Sequence, residues 1–350
     1  MSPVTSTGVI ESAEYIARNA DDVSVNVQAC RQAADSIYEA MQVKKYSTES
    51  WSANELNPKD KTARTVDWIF VVDLLNFSFW SDADREDTGR DANRYTVKYN
   101  GQAYTGYWSL CAAINRALDE GIPVLSPAFW ADAEKSPDEL WAHVFRSDAA
   151  EQIPLLEDRV LCLRQAGRVL VDKHGGSYVN CVKKAAGSAV ALVQLTVADF
   201  ECFRDETAYK GRTVQIYKRP QILVSDIWAC FNGTGYGAFD DIDALSMFAD
   251  YRVPQILYRL GCLDYSAALA AHIWERQPLL AGDPWEVELR GCSIWAVEEI
   301  RRAMLEAHAD ARGRINAILI DFYLWDTAKE EQGARGARYV PCHRTRSIYY

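Results

Sequence analysis

The sequence predicts a predominantly α-helical fold with a small β element, an α+β chain organised as one domain over residues 1–350. Three observations carry that expectation. Long stretches place apolar residues at helical spacing, and one segment alternates around an Asn-Gly pair as a β-hairpin does. In addition, no Pro- or Ser-rich linker and no repeat of fixed period divides the chain.

Taken in order, residues 2–43 read as helices separated by polar turns, with Ser12, Glu14 and Tyr15 as a start signal. Residues 68–75 form an apolar run too short for periodicity to separate strand from helix, and the residues after it favour helix. Residues 81–94 are a charged insertion expected to form a solvent-exposed loop. Residues 95–99 and 102–105 alternate around Asn100-Gly101 and predict the hairpin. Residues 108–120 form an amphipathic helix stopped by Gly121 and Pro123. Ser136-Pro137-Asp138 opens another helix, and helical periodicity continues from 156 to 173, up to Gly175-Gly176. A second extended stretch is expected over 213–217, before Arg219-Pro220, and the remainder reads as helical.

At 350 residues and 49% hydrophobic, the chain is long enough to bury a large core. A net charge of −11 argues against a sequence-independent grip on a nucleic-acid backbone, which needs clustered Lys and Arg, but leaves a single nucleotide open as a ligand. Nine cysteines, with no Cys-x-x-Cys pair, read as reduced thiols in a cytoplasmic protein. The longest apolar run, 68–79, is broken by Asp73 and Asn76, so neither a signal sequence nor a membrane span is expected. His143, His174, His272, His308 and His343 make no close ligand pair, and no Walker or Rossmann glycine pattern occurs. No metal or cofactor is expected.

Two remote blocks crowd carboxylates against aromatic rings. In the first, Phe239-Asp240-Asp241-Ile242-Asp243, apolar residues at Ile242, Leu245 and Phe248 recur at helical spacing behind an acidic pair, with Gly233, Gly235 and Gly237 in front. One Asp of the pair suits a helix cap, and the other can be aimed into a cleft. In the second, 321–326, an ideal helix puts Asp321 at 0°, Trp325 near about 40°, Phe322 near about 100° and Asp326 near about 140°. An acid then bounds each side of an aromatic face. The pattern fits either ordinary core rings with acids at the solvent boundary, or a pocket that stacks a heterocycle and accepts its N–H groups.

These blocks resemble the queuosine salvage family, the queuosine 5'-phosphate N-glycosylases, and the resemblance runs over most of the chain. It is carried by Glu55-Leu56-Asn57-Pro58, Asn76-Phe77-Ser78-Phe79-Trp80, Gly106-Tyr107-Trp108-Ser109-Leu110-Cys111-Ala112-Ala113 and Phe145-Arg146-Ser147-Asp148. Further strings are residues 116–123, Tyr217-Lys218-Arg219, Met247-Phe248-Ala249-Asp250-Tyr251-Arg252, Glu288-Leu289-Arg290-Gly291-Cys292-Ser293 and the terminal 343–350. The resemblance implies hydrolysis of the N-glycosidic bond of queuosine 5'-monophosphate, releasing the 7-deazaguanine base queuine, in a helical core similar to that of DNA glycosylases. Carried over by motif, it makes Asp241 the catalytic carboxylate, with Phe239, Asp240, Asp321, Phe322 and Asp326 lining the base pocket. Two positions depart from the family pattern, which often has His where this chain has Asn54 and Tyr where it has Phe322; Asn54 is kept as a substrate-binding candidate. Lys218, Arg219 and Arg252 are candidates for the 5'-phosphate on charge alone. The implied partner is the small-molecule nucleotide, with the protein acting as a monomer. The alternative of another class is a non-catalytic module that binds queuosine or a modified tRNA. A DNA glycosylase, suggested only by fold analogy, is disfavoured by the acidic composition.

Overall fold

A computed structural model describes residues 5–84, 91–332 and 340–350. Residues 2–4 of the first predicted helical stretch and 85–90 of the predicted charged loop lie outside them.

Helices dominate, and the strands form three separate two-stranded antiparallel pairs. The chain begins with α1 (Val9–Asn19), β1 (Val23–Val25), α2 (Val27–Lys44), α3 (Glu49–Ala53) and α4 (Ala63–Leu74). Ser12 does not start α1; Gly8 does, at φ 83°, and the Ser12 hydroxyl instead bonds back to the Gly8 carbonyl at 2.7 Å. The apolar run 68–75 belongs to α4, whose residues from Trp68 to Leu74 are all buried, which explains why it shows no amphipathic stripe. The hairpin is β2 (Thr96–Tyr99) and β3 (Gln102–Thr105), and both turn residues, Asn100 at φ 48° and Gly101 at φ 79°, take the left-handed conformations that a type I′ turn needs.

Next come α5 (Tyr107–Asp119), α6 (Pro127–Ala131), α7 (Asp138–Val144), α8 (Leu156–His174), α9 (Val179–Lys184) and α10 (Ala189–Asp199). The extended stretch expected at 213–217 is β5 (Arg212–Gln215), paired with β4 (Glu206–Tyr209). The chain continues through α11 (Lys218–Cys230), α12 (Val253–Arg259), β6 (Leu263–Tyr265), α13 (Ala267–Trp274), α14 (Pro284–Ala307) and α15 (Ala317–Gln332). β6 pairs with β1 across most of the sequence, a long-range ladder of three residue pairs that no local signal announces.

The expectation of a helix over 242–248 is corrected. Only one tight turn forms at Ile242–Ala244, and the next α-helix starts at Val253. Between them runs an irregular segment, buried from 245 to 252, whose polar groups are met from outside. The Gln221 side chain of α11 accepts from Ser246 N at 3.0 Å, and Asp321 of α15 accepts from Phe248 N at 3.1 Å. Tertiary hydrogen bonds thus replace the helical ladder that periodicity suggested. α14 pins the same segment: Arg290 donates to the Ala249 carbonyl at 3.0 Å and to both oxygens of Asp205, at 3.0 and 2.6 Å, and pairs with Glu286 at 3.3 Å. All three charged residues are buried. Arg290→Ala strands two carboxylates in the core, so it is expected to cost roughly 3–5 kcal/mol, measured by denaturant unfolding.

Candidate active site

A cavity of about 640 Å³ opens where α3, α5, α11, α15 and the irregular segment meet. α11 contributes Lys218, Ile222 and Asp226, four residues apart and therefore on one stripe of the helix. α15 contributes Asp321, Phe322, Trp325, Asp326 and Lys329, and the irregular segment contributes Phe248, Asp250, Tyr251 and Arg252. Trp51, Asn54, Arg94, Tyr107 and Trp108 add further walls.

One end of the lining is cationic. Lys329 places its ammonium 5.1 Å from the Trp325 ring centre and 5.8 Å from that of Trp108. Although the residue retains solvent contact, loss of water around the ammonium, followed by the charges of Arg252 and Arg94, pushes its pKa down to about 8 against the pull of Asp326. Lys329, Arg252 and Arg94, the last also paired with Asp84 at 3.9 Å, together make a site for a multiply charged anion.

Carboxyls gather around one buried ammonium elsewhere in the lining. Lys218 donates to the Asn76 carbonyl at 3.3 Å; burial lowers its pKa, and Asp250 is the foremost charge opposing that shift, ahead of Asp73. Asp250 Oδ1 accepts from the backbone N–H groups of Arg252 at 2.7 Å and Val253 at 3.1 Å, capping α12 with its charge. Burial, with help from Asp250, holds the Asp321 carboxyl well above the ordinary carboxylate range. Asp326 is also raised by burial, opposed by the Tyr46 hydroxyl that donates to it at 2.5 Å. Phe322 meets Phe248 with ring centres 6.1 Å apart.

Of the candidates read from the sequence, Asn54, Asp321, Phe322 and Asp326 line this cavity, while Phe239, Asp240 and Asp241 do not. Phe239 is buried in the core, and Asp240 is exposed on the surface. Asp241 sits at the start of α10: its Oδ2 accepts from the Ser188 hydroxyl at 2.6 Å and from Val190 N at 3.4 Å, and its Oδ1 accepts from Ala189 N. The cap that the sequence allowed for one Asp of the pair is the use the structure makes of Asp241, on a helix before it in the chain. Asp241→Ala is therefore expected to cost about 1 kcal/mol of stability and to leave turnover within about twofold of wild type in a steady-state assay. Among the phosphate candidates, Lys218 and Arg252 line the cavity. Arg219 does not: it is fully buried and donates to the Leu74 and Cys202 carbonyls between the Phe77 and Phe203 rings.

Sequence reading missed Asp226, Asp250, Arg94 and Lys329. Lys329 was within reach, because continuing the α15 arithmetic puts it near about 80°, inside the same aromatic face. Asp250 stands in one of the family-like strings, but the glycines before Asp240-Asp241 drew the reading to that acidic pair, which lies outside the cavity.

The sequence profile of the family described as "Queuosine salvage protein" matches residues 56–350. A relative from Schizosaccharomyces pombe, named queuosine 5'-phosphate N-glycosylase/hydrolase, is 50% identical over 98% of this chain and 99% of its own length. Proteins of the same name from Mus musculus and Sphaerobacter thermophilus are 45% and 37% identical, covering 97% and 98% of this chain and 98% of their own lengths. With a cavity whose lining is drawn almost wholly from the matched region, this chain belongs to the queuosine salvage protein family.

Proposed function

We propose that this protein is an enzyme that hydrolyses the N-glycosidic bond of queuosine 5'-monophosphate to queuine and ribose 5-phosphate, supplying the base for tRNA modification. The observation that carries the reading is one cavity holding a cluster of three cations, a carboxylate beside a buried ammonium, and aromatic walls. The names of relatives that match almost end to end support the same reaction.

In this reading Arg94, Arg252 and Lys329 hold the 5'-phosphate, fixing the nucleotide by its most charged group. Asp250 faces the anomeric carbon. As the C–N bond stretches, the ribose becomes oxocarbenium-like, and a carboxylate already oriented by two N–H groups stabilises that charge without reorganising. Lys218 balances the Asp250 charge in the resting cavity. Phe322 and Trp325 stack the ring, while Asn54, Asp321 and Asp326 meet its polar edge; burial favours the protonated form of Asp321, which can donate there. Asp250 takes the catalytic role that the family motif had suggested for Asp241.

The reaction requires only water besides the nucleotide. The acidic composition favours a free nucleotide over a long nucleic acid as substrate, and a core shared by residues from Val9 to Ala328 supports one domain as the working unit. The nine cysteines, all buried, suit a reducing cytoplasm. Incubation with queuosine 5'-monophosphate followed by chromatography tests the reading: release of free base and ribose 5-phosphate is expected, whereas retention without turnover would make the protein a binding module.

A further inference from the structure

A purine leaving group is ordinarily helped away by a proton at N7. A 7-deazaguanine base has carbon at that position, so the proton must be delivered to another atom, by a group that keeps a proton at neutral pH and touches the ring. We infer that Asp226 is that proton donor, an inference that rests on the hydrolase reading of the same cavity.

Asp321, the other cavity carboxyl whose protonated form burial favours, has its Oδ1 taken by Phe248 N at 3.1 Å, whereas Asp226 stands apart from it on α11. Asp226 lies on the cavity stripe of α11, two turns and about 12 Å along the helix axis from Lys218. Ile222, on the same stripe, lies between them, an apolar step about 6 Å from each along the axis. Only 5% of Asp226 is exposed, and the Trp51 indole N–H donates to its carboxyl. Behind it on α4 is Asp73, fully buried, with Oδ1 accepting from the Asn76 side chain at 3.2 Å and Oδ2 without a partner among the described residues.

The cations acting on this pair are Lys218, which opposes the shifts of both acids, and Arg219, which acts on Asp73 while donating to the Leu74 and Cys202 carbonyls. Tyr107 and Cys111 of α5 feel the charge of both acids, and Cys230 that of Asp226; all three are pushed toward their neutral forms by burial. Two neighbouring buried carboxyls with so little positive charge do not both ionise. Burial pushes Asp226 up to about 7, opposed by Trp51 and Lys218, and holds Asp73 well above the carboxylate range, with the Asp226 charge adding to the effect. A donor poised near the working pH is what proton transfer favours.

The step balances. The C1′–N9 bond breaks with its electron pair going to the base, and Asp226 gives its proton to that base. Water adds its oxygen to C1′ and its proton to Asp250; proton exchange with solvent then resets both carboxyls. No oxidant or reductant enters.

Asp226→Asn tests this with two substrates. On queuosine 5'-monophosphate, kcat is expected to fall about 100-fold or more. On 4-nitrophenyl β-ribofuranoside 5-phosphate, whose anion leaves without a proton, kcat is expected to stay within about threefold. Equal losses on both, or no loss on the nucleotide, would overturn the inference. If the aryl riboside is not turned over by wild type, the pH profile of kcat/KM on the nucleotide decides: wild type should decline above about pH 7 and the variant should lose that limb, while an unchanged limb in the variant would overturn the inference. Wild type that releases no base at any pH would sink the hydrolase reading itself, a separate result.

Discussion

Asp250→Asn is expected to lower kcat for release of the base by roughly 10³-fold, equivalent to about 4 kcal/mol of lost transition-state stabilisation. The isosteric amide is the informative replacement. An amide oxygen still accepts from Arg252 N and Val253 N, so the cap on α12 survives and only the charge facing C1′ is removed. Both variants lose the charge that balances the buried Lys218 ammonium, but Asp250→Asn should unfold later than Asp250→Ala, which loses the cap as well, at about 1 kcal/mol. Comparable kcat for wild type and Asp250→Asn in single-turnover assays would remove Asp250 from the chemistry.

The second large effect concerns recognition. Lys329→Ala is expected to raise KM for the 5'-phosphorylated substrate by roughly 10- to 100-fold, the range for one lost charge-assisted hydrogen bond. The nucleoside, which has no phosphate to hold, should be almost unaffected by the same change. A pH signature accompanies it. With its pKa lowered to about 8 in the unliganded cavity, the Lys329 ammonium is charged below that pH and loses its proton above it. Accordingly kcat/KM for the nucleotide should decline further as pH rises through about 8, beyond the limb near 7 set by Asp226, and Lys329→Ala should abolish this second decline while keeping the first. Equal KM changes for nucleotide and nucleoside would place the phosphate elsewhere.

Most of the helices were legible because their signals are local. The Asn100-Gly101 turn specifies its hairpin through backbone conformation alone, and the α15 face comes from helical geometry applied to Asp321, Phe322, Trp325 and Asp326. What stayed hidden depends on partners distant in sequence. β1 finds β6 only in the folded chain. Residues 245–252 carry a helix-like pattern, but Gln221, Asp321 and Arg290 hold them open, and that tertiary override moves Asp250 and Arg252 into the cavity. The same override decided the fate of the acidic pair. An Asp before apolar residues signals a cap, yet nothing local says which helix it will cap; Asp241 went to α10 and Asp250 to α12. Lys218 and Arg219 make the point at one step of sequence, since adjacent residues on a helix point about 100° apart. One ammonium enters the cavity and the neighbouring guanidinium is consumed by core carbonyls.

The most direct test of the site is a crystal structure of Asp250→Asn with queuosine 5'-monophosphate bound. The account predicts the anomeric carbon at about 3–3.5 Å from the side chain of residue 250, the separation of a near-attack geometry, with the phosphate among Arg94, Arg252 and Lys329 and the base reaching Asp226. A nucleotide seated against Asp241, or outside the cavity altogether, would contradict it.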